Sequence, residues 1–191
     1  MFYNHIFSLL STKMSPCERG LIHGREVYDE SKSLAIYVIK KYRNQTQGEN
    51  AIGDRLYELC MQVKYKHQLF FENIGEELGL NEENFNGISR VLMLETLVDT
   101  CNYGRIVSIY ALCIALVIFC EENGIKDKAD SISNNVAMLM YSKLDWFEEN
   151  NGWSGFIEHF DNLEEKNWRK ALMLFSSTNF WVSTGLNFSF S

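Results

Sequence analysis

The stretch from Ile106 to Cys120 contains no charged residue, and Gly104 and Arg105 stand at its head. A helix that is apolar on every side has to be enclosed by other helices. Its uncharged part is too short to cross a bilayer, which takes about 18 residues or more. The chain must therefore supply a shell of amphipathic helices around this rod. The two residues at its head then need explaining. Glycine costs a helix about 1 kcal/mol relative to alanine, and a cation at a helix N-terminus opposes the dipole.

The rest of the chain can build that shell. With 191 residues, one domain with a sizeable core is expected. A single proline and 12 glycines are little punctuation for this length and favour long helices over strands. Apolar periodicity predicts a first helix over about Arg25 to Arg43. After the polar loop from Asn44 to Gly53, a second helix carries Ile52, Leu56, Leu59, Val63, Phe70 and Ile74 on one stripe, with His67 filling the gap. A short helix is expected from about Gly87 to Asp99. The apolar rod follows, then a helix over about Lys126 to Lys143. In "KLDWFEENNGWSGFIEHF", Asn150, Asn151 and Gly152 separate two short helices by a turn that demands positive φ.

Several functions find no support in the composition. The net charge is -7 and no basic cluster rises above the acidic background, so nucleic acid is not an expected partner. The five cysteines include no Cys-x-x-Cys pair, and the four histidines lie on separate elements, so no metal or other cofactor is expected. The adjacent glutamate pairs diverge on a helix and read as solvated faces. No Gly-rich phosphate loop and no Gly-x-Ser-x-Gly occurs, and an enzyme is not expected. The N-terminus lacks the basic leader of a signal peptide. From Ala171 to Ser191 there is no charge, the outline of a membrane anchor, but Asn179, Asn187, Gly185 and the six hydroxyl residues from Ser176 to Ser189 weaken it. A helix packed on the body, or lying in its groove, is the other reading of this tail. Three segments are expected: 1–24 ahead of the fold, a helical domain over 25–165, and the apolar tail over 166–191.

Small residue and cation together at Gly104 and Arg105 describe a docking point for an incoming helix with its own small residue and an aspartate. Asn102 can cap the rod or join that contact. The plainer reading is a glycine that starts a helix beside a solvated first-turn arginine. "NYGRIVSIYALC" (Asn102 to Cys113) resembles the first homology motif of the Bcl-2 family, whose usual core is Asn-Trp-Gly-Arg before an apolar helix. "WFEENNGWSGFIEHF" (Trp146 to Phe160) resembles the second, at the separation the family uses. The helix from Leu56 to Ile74 lies in the place of the third motif, and Ser33 to Tyr42 resembles the fourth more loosely. Tyr103 replaces the usual tryptophan. The third motif normally reads Leu-x-x-x-Gly-Asp; here Cys60 and Met61 follow Leu56, and the aspartate is gone.

The resemblance implies an all-α, Bcl-2-like helical bundle around a central hydrophobic helix, with a groove that receives a partner's amphipathic helix. Carried over motif by motif, the groove is lined by Val63, His67, Phe70, Phe71 and Ile74, by Leu92 and Thr96, by Ser108 and Leu112, and by Phe160. Arg105 would pair with the partner's aspartate, and Gly104 would admit its small residue. The partners implied are pro-apoptotic proteins, through their Bcl-2 homology 3 helices. The implied location is the cytoplasm, at the mitochondrial outer membrane or endoplasmic reticulum if the tail inserts. The missing aspartate favours a pro-survival guardian. An effector that oligomerises and permeabilises the mitochondrial outer membrane is the alternative.

Overall fold

The computed structural model describes residues 16–46, 48–97 and 100–161. These form eight helices and no strand: α1 (Pro16–Tyr42), α2 (Ala51–Lys66), α3 (Gln68–Glu77), α4 (Phe85–Thr96), α5 (Tyr103–Glu122), α6 (Ala129–Tyr141), α7 (Leu144–Glu149) and α8 (Gly152–Asp161). The all-helical bundle around a central apolar helix is the architecture found.

α5 is the axis. From Ile106 to Val117 every residue is buried, and α1, α2, α3, α4 and α6 all pack on it. Large apolar side chains gain about 1.5–3 kcal/mol each on full burial, so this rod dominates the core. By length and composition α5 could cross a membrane, but 83% of its apolar window lies inside the protein.

α1 runs antiparallel to α6. Gly24 faces Tyr141, Tyr28 Oη donates to Asn134 at 3.3 Å, and Arg43 pairs with Asp127 beyond the start of α6. A deep polar junction joins three helices at Ser31. Tyr110 Oη of α5 donates to the Ser31 carbonyl at 3.0 Å, and Trp153 Nε1 of α8 donates to Ser31 Oγ at 3.2 Å. Burial raises the Tyr110 pKa well above its ordinary value, so the phenol stays a donor.

Three boundaries differ from the sequence expectation. α1 begins at Pro16 rather than near Arg25. Proline is favoured at a helix start, where its missing N–H would have no intrahelical partner, but it signals the start only weakly when no apolar period follows. The helix expected to run on to Ile74 breaks at His67, whose φ of -113° and ψ of 36° leave the helical region. No glycine or proline marks the break. The stripe keeps its contact with α5 on both sides, through Val63 before it and Phe71 and Ile74 after it. α4 begins at Phe85 behind a turn closed by side chains. Asn81 Oδ1 accepts from the amides of Glu83 and Asn84, while Asn84 Nδ2 donates to the Gly79 carbonyl.

Candidate functional site

The head of α5 is built by its own cap. Asn102 is extended, and its Oδ1 accepts from the Arg105 amide at 2.9 Å, satisfying one of the donors a helix start leaves open. The Arg105 guanidinium turns back to the end of α4 and donates from Nη1 to the Thr96 carbonyl at 3.1 Å. Thr96 is the last residue of α4, so the arginine satisfies a carbonyl without an intrahelical partner. The cation thus fastens the end of α4 to the start of α5. α3 and α4 each pack on α5 and make little contact with one another.

The predicted groove residues fall into two groups. His67, Phe70, Asn102 and Arg105 are partly accessible. Val63, Phe71, Ile74, Leu92, Thr96, Gly104, Ser108, Leu112 and Phe160 are buried. Of the adjacent phenylalanines, Phe71 is in the core and Phe70 stands edge-on to it, ring centroids 5.1 Å apart. The two hydroxyl residues spend their donors locally. Thr96 Oγ1 donates to the Leu92 carbonyl at 2.9 Å, and Ser108 Oγ donates to the Gly104 carbonyl at 3.1 Å. Such back-bonding leaves the methyl or methylene as the face that a neighbour meets. His67 differs, because its Nε2 is buried without a hydrogen-bond partner. Burial first, and Lys66 second, lower its pKa, so the ring is neutral near pH 7.

Behind α3 lies a cleft of about 670 Å³. Its walls are the end of α1 (Tyr42), the end of α2 (Met61, Lys64, Tyr65), α3, and the second half of α5 (Ala115, Ile118, Phe119, Glu122). Phe71 and Ile74 are the predicted groove residues that also line it. Tyr65 and Leu69 beside it are 81% and 68% exposed.

Tyr103 carries the junction between the two quoted motifs, a role the sequence did not disclose. Its hydroxyl lies 2.7 Å from the carbonyls of both Asn150 and Gly152, in the turn between α7 and α8. Its ring meets Trp146, Phe156 and His159 at centroid distances of 4.9, 5.7 and 5.3 Å. Burial pushes the phenol up to about 12, so it remains a donor. The turn holds Asn151 and Gly152 at φ of 59° and 58°, as the sequence requires. Gly155 lies so close to the same turn that a Cβ would sit 1.9 Å from the Asn150 carbonyl oxygen. The aromatic density of "WFEENNGW" was the available signal for this tether.

The model of the apoptosis regulator proteins of the Bcl-2 family matches residues 56–153, just over half of the chain, from the start of the third motif to the second. The chain belongs to the Bcl-2 family. Its helices superpose on those of other members. Trichoplax adhaerens trBcl-2L2 bound to trBak BH3 is 25% identical, with a TM-score of 0.60, and the match covers 71% of this chain and 97% of that one. The zebrafish pro-survival protein NRZ, in its apo structure, shares the fold at 23% identity and a TM-score of 0.65, covering 73% of this chain and 97% of NRZ. Chicken BOK shares it at 15% identity and a TM-score of 0.57, covering 71% and 98%. In sequence, the Xenopus laevis apoptosis regulator R11 is 25% identical over 118 residues, which is 59% of this chain and 56% of that protein. The chain is thus a Bcl-2 family apoptosis regulator, and α5 is the central hydrophobic helix of the family's bundle.

Proposed function

We propose that this Bcl-2 family member is a pro-survival regulator that captures the Bcl-2 homology 3 (BH3) helices of pro-apoptotic proteins in the space between α3 and α4, floored by α5. What supports the reading is the position of Arg105 at the head of α5, where its Nη1 donates to the Thr96 carbonyl at the end of α4. The planar fork of a guanidinium matches the two oxygens of a carboxylate, which is what the incoming helix would bring. Gly104 beside it gives a small residue of the ligand close access to the backbone. The apolar faces of Val63, Phe71, Ile74, Leu92, Leu112 and Phe160 take the ligand's anchors once the walls part, while His67, Phe70, Thr96 and Ser108 line the rim and floor. trBcl-2L2 bound to trBak BH3, and NRZ in complex with Bad BH3, are neighbours whose partners are of this kind.

The pro-survival assignment rests on α2. The residue after its small Cys60 is Met61, not an acid. Offered to a second copy, α2 would bring no carboxylate to that copy's Arg105. A charge-assisted hydrogen bond is worth about 1.5–3 kcal/mol, so self-assembly through this contact is disfavoured. The domain proposed for this work is the one expected over 25–165, extended at its start to Pro16, where α1 begins. Residues 166–191 lie outside the described structure; the proposal gives them a membrane-directing role at the mitochondrial outer membrane or endoplasmic reticulum, with the domain itself in the cytoplasm. No enzymatic step is proposed.

Titration calorimetry of the purified chain against a panel of BH3 peptides tests the capture. Affinities from nanomolar to micromolar for at least one peptide are expected, and a panel without any binding contradicts it. Dye-loaded liposomes separate the two roles in the family. Protection against release by another effector is the pro-survival result, and release caused by this chain with an activator peptide is the effector result.

A further inference from the structure

The last turns of α1 hold the first turn of α2 by polar contacts that converge on one carboxylate, while near the end of α2 Lys64 Nζ lies 5.3 Å from the centroid of the Tyr42 ring. Tyr37 Oη donates to Asp54 Oδ1 at 2.7 Å, and Lys41 Nζ forms an ion pair with the same oxygen. Lys41 also sits over two aromatic rings, 5.9 Å from the centroid of Tyr37 on its own helix and 5.5 Å from that of Tyr57 on α2. The fit is close on the apolar side as well, since a Cβ on Gly53 would lie 2.5 Å from the Tyr37 ring. Asn50 Oδ1 caps the same turn by accepting from the Gly53 amide at 2.8 Å. Two donors of α1 thus depend on one acceptor of α2, and losing it removes both.

Other contacts hold α1 in place when that acceptor is lost. Arg43 bridges Glu121 at the end of α5 and Asp127 in the following turn, at 2.6 and 3.2 Å. α1 also packs along the length of α6. Further along α2, Leu56, Leu59, Cys60 and Val63 are buried against the body, with Cys60 Sγ 3.6 Å from the Val107 carbonyl and Lys64 over the Tyr42 ring. Apolar packing is insensitive to small rotations, whereas hydrogen bonds depend steeply on angle and distance. The polar cluster is therefore the part of the α1–α2 contact that depends most steeply on how the first turns of α2 are seated.

We propose that Tyr37, Lys41 and Asp54 form a latch that governs a local opening of the first turns of α2 away from α1, uncovering the stripe that starts at Leu56 and Leu59. The latch acts on the seating of α2 and is independent of the Arg105 contact and of what the groove binds. It is open to control by any event that removes the Lys41 charge or occupies the Tyr37 oxygen.

Hydrogen exchange of the full chain, read by mass spectrometry, tests this. Local opening is visible as faster exchange in one helix against an unchanged background. Asp54→Asn and Lys41→Gln are each expected to speed exchange in residues 52–60 by about three- to tenfold, the range expected for losing one or two part-exposed polar contacts. α5, α6 and α8 should be unchanged. Lys41→Arg should restore slow exchange, and Arg25→Gln, an equal charge change at a solvated pair, should have no effect. Tyr37→Phe keeps the ring and removes only the hydroxyl, so it reads the latch even if a charge variant fails to fold. Unchanged α2 exchange in Asp54→Asn and Tyr37→Phe, or acceleration spread equally over every helix, overturns the proposal. Binding of a BH3 peptide, measured in parallel on the same variants, is expected to change by less than about twofold. Its absence in the wild type would count against the capture reading and leave the exchange result standing.

Discussion

Tyr103 holds Gly152 across 49 residues of sequence, its hydroxyl 2.7 Å from the glycine carbonyl oxygen. The same hydroxyl reaches the Asn150 carbonyl at 2.7 Å. The start of the buried rod is thereby fixed to the turn that sets the direction of α8, and α8 brings Phe160 to the core. Where the family usually has tryptophan, this chain has a phenol that serves as both wedge and tether.

Removing that hydroxyl separates the two roles. Tyr103→Phe keeps the aromatic contacts with Trp146 and Phe156 and deletes the donor to the turn. Two carbonyls lose a partner, and one neutral hydrogen bond is worth about 1 kcal/mol net. A loss of about 1–2 kcal/mol in denaturant unfolding is expected, without loss of helicity. Unchanged stability would show that the turn is held by its aromatic neighbours alone.

Two glycines that look alike in sequence should respond differently to alanine. At Gly155 a Cβ would lie 1.9 Å from the Asn150 carbonyl oxygen, which belongs to a turn already fixed by Tyr103. Backbone has to move, and overpacking of that kind costs about 1–3 kcal/mol or more. At Gly75 the Cβ would also lie 1.9 Å from its nearest neighbour, but that atom belongs to the partly exposed ring of Phe119. The ring can turn toward the cleft. Thermal unfolding of Gly155→Ala and Gly75→Ala should therefore show a clearly larger fall in Tm for the first.

Ser31 should reveal how much the three-helix junction contributes. Ser31→Ala leaves the backbone acceptor of Tyr110 in place and removes the acceptor of the buried Trp153 Nε1. A buried donor without a partner costs about 1–3 kcal/mol. The expected result is destabilisation in that range by urea unfolding, with the Trp153 fluorescence changed because its indole hydrogen bond is lost.

The α1–α2 latch predicts a pH signature. Lys41 first and Tyr37 second hold the Asp54 carboxyl below its ordinary 3.8. A lowered folded-state value means that the stabilisation is present above the unfolded value and is lost as pH falls through the folded one. The facing groups shift the other way: the hydrogen bond to Asp54 raises both Tyr37 and Lys41, so their part persists until alkaline pH. Both partners of the ion pair are about one-third exposed, which limits it to under about 1 kcal/mol. The Tm difference between wild type and Asp54→Asn should be constant near neutrality and close below about pH 4. Glu30, raised by burial and then by Glu26, titrates in the opposite sense in both proteins and cancels from the difference. A gap that stays open in acid would show that Asp54 acts without its charge.

Much of the fold could be read from the chain because its strongest signals are physical. The uncharged run after Arg105 required a buried rod, and the "ENNGW" turn required positive φ at Asn151 and Gly152. The Bcl-2 assignment came from two motifs at a fixed separation. What escaped the sequence depends on tertiary contacts. The break at His67 has no local marker, since the apolar period runs through it. The Arg105 bond to the Thr96 carbonyl cannot be read from spacing, because any backbone oxygen could have served. That the hydroxyls of Thr96 and Ser108 donate to the Leu92 and Gly104 carbonyls one turn back also follows from the fold rather than from residue type.

The central claim is that Arg105 receives a carboxylate from a partner helix. A double-mutant cycle measures this directly, combining Arg105→Ala with replacement of the motif's aspartate by alanine in a BH3 peptide, by calorimetry. A coupling energy of about 1.5–3 kcal/mol is expected, with the second substitution costing little once the first is made. Additive losses, or an affinity that Arg105→Ala leaves unchanged, would contradict the account.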